Sequence, residues 1–133
     1  MNQVVARFAD GRVVKGTSLD VDASRPLCHV RSKDQGMVEV AMANLKALFF
    51  VKSLEGNSAH QEASAPKEGD LRLRGTTLVE IEFKDGERLV GLSNSYPPKG
   101  EFFFMLPVDA GSNNIRILVN RSQVRYVTAV TKA

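Results

Sequence analysis

One short hairpin occurs twice in this chain, and that repetition constrains the fold more than any other feature. Residues 8–16 read FADGRVVKG and residues 83–91 read FKDGERLVG. The Phe, the Asp-Gly pair and the closing Gly return 75 positions later in the same frame. Before each turn, apolar residues alternate with others: Val4, Ala6, Phe8 in the first copy and Val79, Ile81, Phe83 in the second. A period of two is that of a strand with one buried face. Asp-Gly supplies residue types that tolerate tight hairpin turns. Asp10, Gly11, Asp85 and Gly86 are therefore expected to be turn residues. Gly16 and Gly91 lie inside the returning strands, where glycine weakens pairing unless a bend or a close approach requires it.

The repetition extends past the hairpin. Val38-x-Val40 matches Ile117-x-Val119, and Leu45-x-x-Leu48 matches Val124-x-x-Val127, each 79 positions on. Each copy then holds about five short strands, a pattern of small barrels or sandwiches. Copies this small are marginal alone and should pack edge to edge or face to face. Phe49, Phe50, Phe102, Phe103 and Phe104 are expected to furnish much of the shared core. Between the copies, SLEGNSAHQEASAPKEGDLRLRG lacks periodicity until Leu71 and reads as a linker. The expected organisation is a first repeat over residues 1–53, a flexible linker over 54–75 and a second repeat over 76–133.

Hydrophobic content of 43% and charged content of 25% are those of a soluble globular chain. No apolar run is long enough for a membrane helix, so no membrane partner is expected. The N-terminus lacks a basic segment followed by an apolar one, and the lone Cys28 can form no internal disulfide. Both features suit the cytoplasm. The net charge of +3 is modest, and acids and bases alternate through Glu80, Glu82, Lys84, Asp85, Glu87 and Arg88. A mixed, solvated surface is the simplest reading of that pattern.

The hairpin with its Gly-bent second strand resembles the first signature of the Sm-like superfamily, on Phe8, Asp10, Gly11, Arg12, Val14 and Gly16. Phe83, Asp85, Gly86, Leu89 and Gly91 echo it. That resemblance implies an all-β chain of two tandem five-stranded Sm-like, SH3-like small barrels packed together. It also implies pairing of a fourth strand with a neighbour's fifth, satisfied internally by two linked copies or extended into a larger closed ring. The second signature of Sm-like RNA binders is missing: the corresponding turns read Ala43-Asn44-Leu45 and Asn120-Arg121-Ser122. RNA-binding chemistry therefore does not follow from the resemblance. FxDGRxxKG followed by LKALFFV is also similar to an uncharacterised bacterial domain family found beside signalling domains, which implies a regulatory or adaptor context.

No catalytic constellation stands out. Cys28 and His29 are adjacent and, on a strand, point to opposite faces, so they make a poor nucleophile and base. Asp20 and Asp22 would share a face if the second strand ran that far, with too few oxygens for a convincing cation site. His60 falls in the linker and is expected to be solvated. No glycine-rich phosphate loop is present, and Arg72-Leu73-Arg74 has the wrong spacing for a cyclic-dinucleotide reader of the PilZ type. No cofactor, metal or cyclic dinucleotide is expected. The sequence points to a non-enzymatic regulatory or adaptor module that mediates protein interaction or self-association. The alternative is RNA or single-stranded nucleic-acid binding through Arg12, Lys15, Asn44, Arg121, Arg125 and Tyr126.

Overall fold

The computed structural model describes residues 2–56 and 69–130. The chain is all-β, with ten strands among the described residues. In the first half these are β1 (Asn2–Phe8), β2 (Val13–Ser18), β3 (Leu27–Ser32), β4 (Gly36–Ala41) and β5 (Leu45–Val51). In the second they are β6 (Thr77–Phe83), β7 (Arg88–Ser93), β8 (Phe102–Pro107), β9 (Asn114–Asn120) and β10 (Val124–Ala129). One-turn 3-10 helices precede β5 and β10 at equivalent positions, Met42–Asn44 and Arg121–Gln123.

Two tandem barrels were expected from the sequence; the ladder instead runs through a single open antiparallel sheet. Its order is β10-β6-β7-β8-β9-β5-β1-β2-β3-β4. Each half is a four-strand meander with its fifth strand paired back to its first. The halves meet edge to edge, with β5 of the first against β9 of the second.

Backbone hydrogen bonds repeat between the halves. Phe8 N–H donates to Arg12 O and Phe83 N–H to Glu87 O; Ala9 N–H donates to Asn44 O and Lys84 N–H to Gln123 O. Met42 N–H donates to Pro26 O and Arg121 N–H to Glu101 O. The duplication is thus carried by the backbone as well as by the sequence.

Two cores lie along the sheet. Val4, Ala6, Phe8, Val14, Cys28, Val30 and Val40 belong to the first. Val79, Ile81, Phe83, Phe103, Met105 and Val119 belong to the second. Strand β5 serves both and is buried at every position. Leu45, Leu48 and Phe50 enter the first core, while Ala47, Phe49 and Val51 enter the second. From Ala47 to Val51 its run is apolar without a break, which is what a strand buried on both faces needs. Of the five phenylalanines expected in the core, Phe49, Phe50 and Phe103 are buried and Phe102 is half-buried against the first core. Phe104 remains 38% exposed.

Gly11 and Gly86 take φ of +95° and +94°, and no other residue type among those described has a positive φ. Gly11 N–H donates to Phe8 O and Gly86 N–H to Phe83 O. The turns are therefore three-residue hairpin loops with glycine in the left-handed position, and the Asp need not adopt it. Asp10 and Asp85 instead accept the backbone N–H two residues on, from Arg12 and Glu87, each at 3.0 Å.

The expected linker over 54–75 is partly a docked segment. Asp70 caps a 3-10 turn, Leu71–Arg74, by accepting from Arg72 N–H. The Arg72 guanidinium donates to Pro107 O at 2.7 Å and Val108 O at 2.9 Å. Residues 57–68, with His60, lie outside the described residues.

Candidate functional site

The join between the halves shows what this fold does with a strand edge. Strands β5 and β9 pair from Ala47 opposite Val119 to Val51 opposite Asn114. Arg116, opposite Phe50, lays its guanidinium 4.3 Å from the centroid of that ring and 4.8 Å from Phe104. Asn120 is buried and uses both ends of its amide. Its Nδ2 donates to Leu45 O at 2.8 Å, and its Oδ1 accepts from Ser122 N–H and Oγ–H.

A charged clamp completes the join. Pairing between β1 and β5 slips by one residue at Lys46, a bulge that aims its side chain sideways. Lys46, with an 8% exposed side chain, pairs with Asp85 at 2.7 Å and with Glu87, and its Nζ lies 4.7 Å from the Phe83 ring centroid. Arg7 adds a contact to Glu87 at 3.3 Å. Bonding to Lys46 is the largest cause holding the Asp85 carboxyl below its ordinary range; its bond from Glu87 N–H adds to this. The clamp residues Arg7, Lys46, Glu87 and Asn120 escaped the sequence reading. The available signal was a lysine inside the apolar run LKALFFV.

Among the described residues this join leaves two equivalent strands with one open side each: β4, the counterpart of β9, and β10, the counterpart of β5. Met37 is exposed on β4, and Tyr126 is exposed on β10 with Val130 just beyond it. β10 repeats the β5 bulge, with Arg125 as the extra residue in place of Lys46. With no strand on the outer side of β10 among the described residues, Arg125 turns back to Glu82 at 3.1 Å and to Lys84 O at 3.3 Å.

The structure disperses the residues proposed for nucleic acid. Arg12 and Asn44 line one cleft with Phe8. Arg12 also pairs with Asp10 at 2.9 Å and lies 4.7 Å from the Phe8 ring centroid. Lys15 lines a separate groove of about 760 Å³ together with Arg31 and Lys33. Arg121 sits in a third hollow beside Glu101. Arg125 and Tyr126 face carboxylates: the Tyr126 hydroxyl donates to Glu80 at 3.4 Å, and burial, then the Glu80 charge, raises its pKa.

Gly16 and Gly91 stand where the next strand crowds β2 and β7. A Cβ at Gly16 would lie 2.1 Å from Arg31 O, and one at Gly91 would lie 2.9 Å from Leu106 O. Cys28 is buried, and burial pushes its thiol up to about 11. His29 Nδ1 lies 2.7 Å from Asp20, whose other oxygen accepts His29 N–H at 2.8 Å. These bonds hold Asp20 down at about 2 and raise the imidazole. Asp20 and Asp22 do not share a strand face, because β2 ends at Ser18; Asp22 instead accepts from Ser24 N–H and Oγ–H.

A family model described as a family of unknown function, DUF6982, matches residues 1–131. No curated protein and no solved structure matches the chain.

Proposed function

The chain belongs to the family of unknown function DUF6982, and we propose that it is a non-enzymatic interaction module whose binding surfaces are its two open sheet edges. One observation carries this reading. The fold closes one fourth-strand-to-fifth-strand junction within itself and, among the described residues, leaves the two matching strands, β4 and β10, each with one open side. Unpaired edges are templates for strand addition, and proteins commonly blunt them with proline and charge. Neither edge contains proline, and each carries a single charged residue, Glu39 or Arg125.

The Sm-like reading fits the same arrangement. The glycine-crowded second strand and the five strands of each half are what the resemblance implies. An adaptor role in a reducing cytoplasm suits the lone buried cysteine. Beside the Asp20–His29 pair, Cys28 projects to the opposite face and is buried, and the buried Ser18 hydroxyl donates to Asp20.

Photo-crosslinking in cells tests the reading. A p-benzoylphenylalanine placed at position 37 on β4 or 128 on β10 should capture a discrete protein, and one at exposed Leu19 should not. Equal capture from all three positions, or none, would refute it.

The second reading, RNA or single-stranded nucleic acid, is favoured by one groove, where Lys15, Arg31 and Lys33 have no ion-pair partner among the described residues. Salt-sensitive anisotropy with a random oligonucleotide, lost when Lys15 and Arg31 become glutamate, would support it. No shift at low salt would dismiss it.

A further inference from the structure

We infer that the groove over β2 and β3 of the first half binds an acidic peptide segment of a partner protein. The site goes beyond the edge reading, because its cations stand on a face of the sheet and not on β4 or β10. Val14, Gly16 and Ser18 of β2 are buried, so Lys15 and Thr17 point to the opposite face. Cys28, Val30 and Ser32 of β3 are buried likewise, and Arg31 points outward opposite Thr17.

The two halves treat this place differently. Thr17 pairs with Arg31, and 75 positions on Leu92 pairs with Leu106. The counterparts of Lys15, Arg31 and Lys33 are therefore Val90, Leu106 and Val108. In the second half the chain itself docks here. The Leu71–Arg74 turn is anchored by Arg72, which donates to Pro107 O at 2.7 Å and to Val108 O at 2.9 Å. Leu92 and Val108 are both buried. In the first half the equivalent place is an open groove of about 760 Å³, lined by Lys15, Thr17, Arg31 and Lys33 with Met37 and Leu54. The half that docks its own chain has apolar residues where the open half has three cations.

Those cations fix the chemistry of the occupant. None of the three has an ion-pair partner among the described residues. Continuing the Thr17–Arg31 pairing by two residues sets Lys15 opposite Lys33, a like-charge pair that costs stability until an anion sits between them. Asp34 and Glu55 also line the groove, so three cations stand against two acids and a positive excess is left. An Arg fork and two Lys ammonium groups suit carboxylates spaced along a chain. Met37, which is exposed, and Leu54 offer an apolar wall between them. The volume lies within the roughly 300–1,000 Å³ of pockets that enclose a compact ligand. A peptide in which acidic residues alternate with apolar ones matches each of these features. Bases do not, because no aromatic ring is among the described lining residues and stacking has no platform.

NMR titration of the isotope-labelled full chain with a short peptide alternating glutamate and leucine tests the inference. The amides of residues 15–17 and 31–33 should shift, and those of residues 90–92 and 106–108 should not. Lys15→Glu and Arg31→Glu, both on exposed side chains, should each weaken binding by about tenfold or more, with the spectrum itself reporting the fold. Lys99→Glu, on an exposed loop, should bind like the wild type. A peptide with lysine in place of glutamate should leave the spectrum unchanged. No shift at low salt, a loss in Lys99→Glu equal to that in Lys15→Glu, or a thymidine oligonucleotide that moves the same amides at lower concentration than the peptide would overturn the inference. None of these results touches the edge reading, which is decided by capture at position 128, outside the groove.

Discussion

Substituting alanine at the two interior glycines should cost unequal amounts, although the sequence presents them as equivalents. At Gly16, a Cβ would sit 2.1 Å from Arg31 O, 2.7 Å from its carbonyl carbon and 2.8 Å from Val30 Cγ1. Two of these are backbone atoms, so β3 would have to retreat by roughly 1 Å to restore ordinary contact. That retreat strains the β2–β3 ladder where it is thinnest, at the pairing of Thr17 with Arg31. Overpacking at the upper end of its usual range, with about one lost hydrogen bond, gives about 3–4 kcal/mol for Gly16→Ala. At Gly91, the closest atom is Met105 Cε at 2.5 Å, and Leu106 O follows at 2.9 Å. A methionine methyl can swing aside, leaving a few tenths of an ångström for the carbonyl to yield and a cost of about 1–2 kcal/mol. The difference of about 2 kcal/mol should separate the urea midpoints by about 1 M. Equal losses, or a larger loss for Gly91→Ala, would refute the assignment of Gly16 to a backbone close approach.

Three further outcomes follow from individual contacts. Lys46→Met keeps the aliphatic stem but strips Asp85 and Glu87 of their cation; it should cost about 1–2 kcal/mol in urea unfolding, since Asp85 is itself half-exposed. The His29 imidazole should titrate above the usual 6.5 in an NMR series, and Asp20→Asn should return it toward that value. The raised His29 pKa contributes stability below pH 6.5 that is lost as pH rises through the folded value; the lowered Asp20 contributes above pH 3.8 and is lost as pH falls toward 2. Cys28, buried with its thiol pushed up to about 11, should resist alkylation at neutral pH until the chain is unfolded.

Much of the strand plan was legible because it rests on local rules. Alternation marked the faces of β1 and β6, Asp-Gly marked the turns, and the two offsets marked the duplication. The handling of the halves was harder to read. LKALFFV and VRYVTAV occupy the same place in their repeats, yet the first is buried on both faces and the second lies on an edge. The contrast between the apolar stretch Ala47–Val51 and its counterpart, which Thr128 interrupts, carries that difference, but it becomes decisive only once the neighbour of each strand is known. Lys46 was missed for a related reason. Its role comes from a bulge and from a turn 39 positions away, Asp85, and neither is visible in the run that contains it. Arg12 and Arg125 looked alike as surface cations, whereas their partners differ: a turn aspartate and an aromatic ring for one, a buried glutamate for the other.

Hydrogen–deuterium exchange of the wild-type chain, read as a function of protein concentration, tests the central claim most directly. At low concentration the amides of Gly36–Ala41 and Val124–Ala129 that face outward should exchange quickly, because no strand among the described residues accepts from them. As concentration rises, both segments should slow together while β5 and β9, already paired within the molecule, stay unchanged. Edge exchange that is independent of concentration, or protection that develops in one edge alone, would contradict self-association through the two open edges.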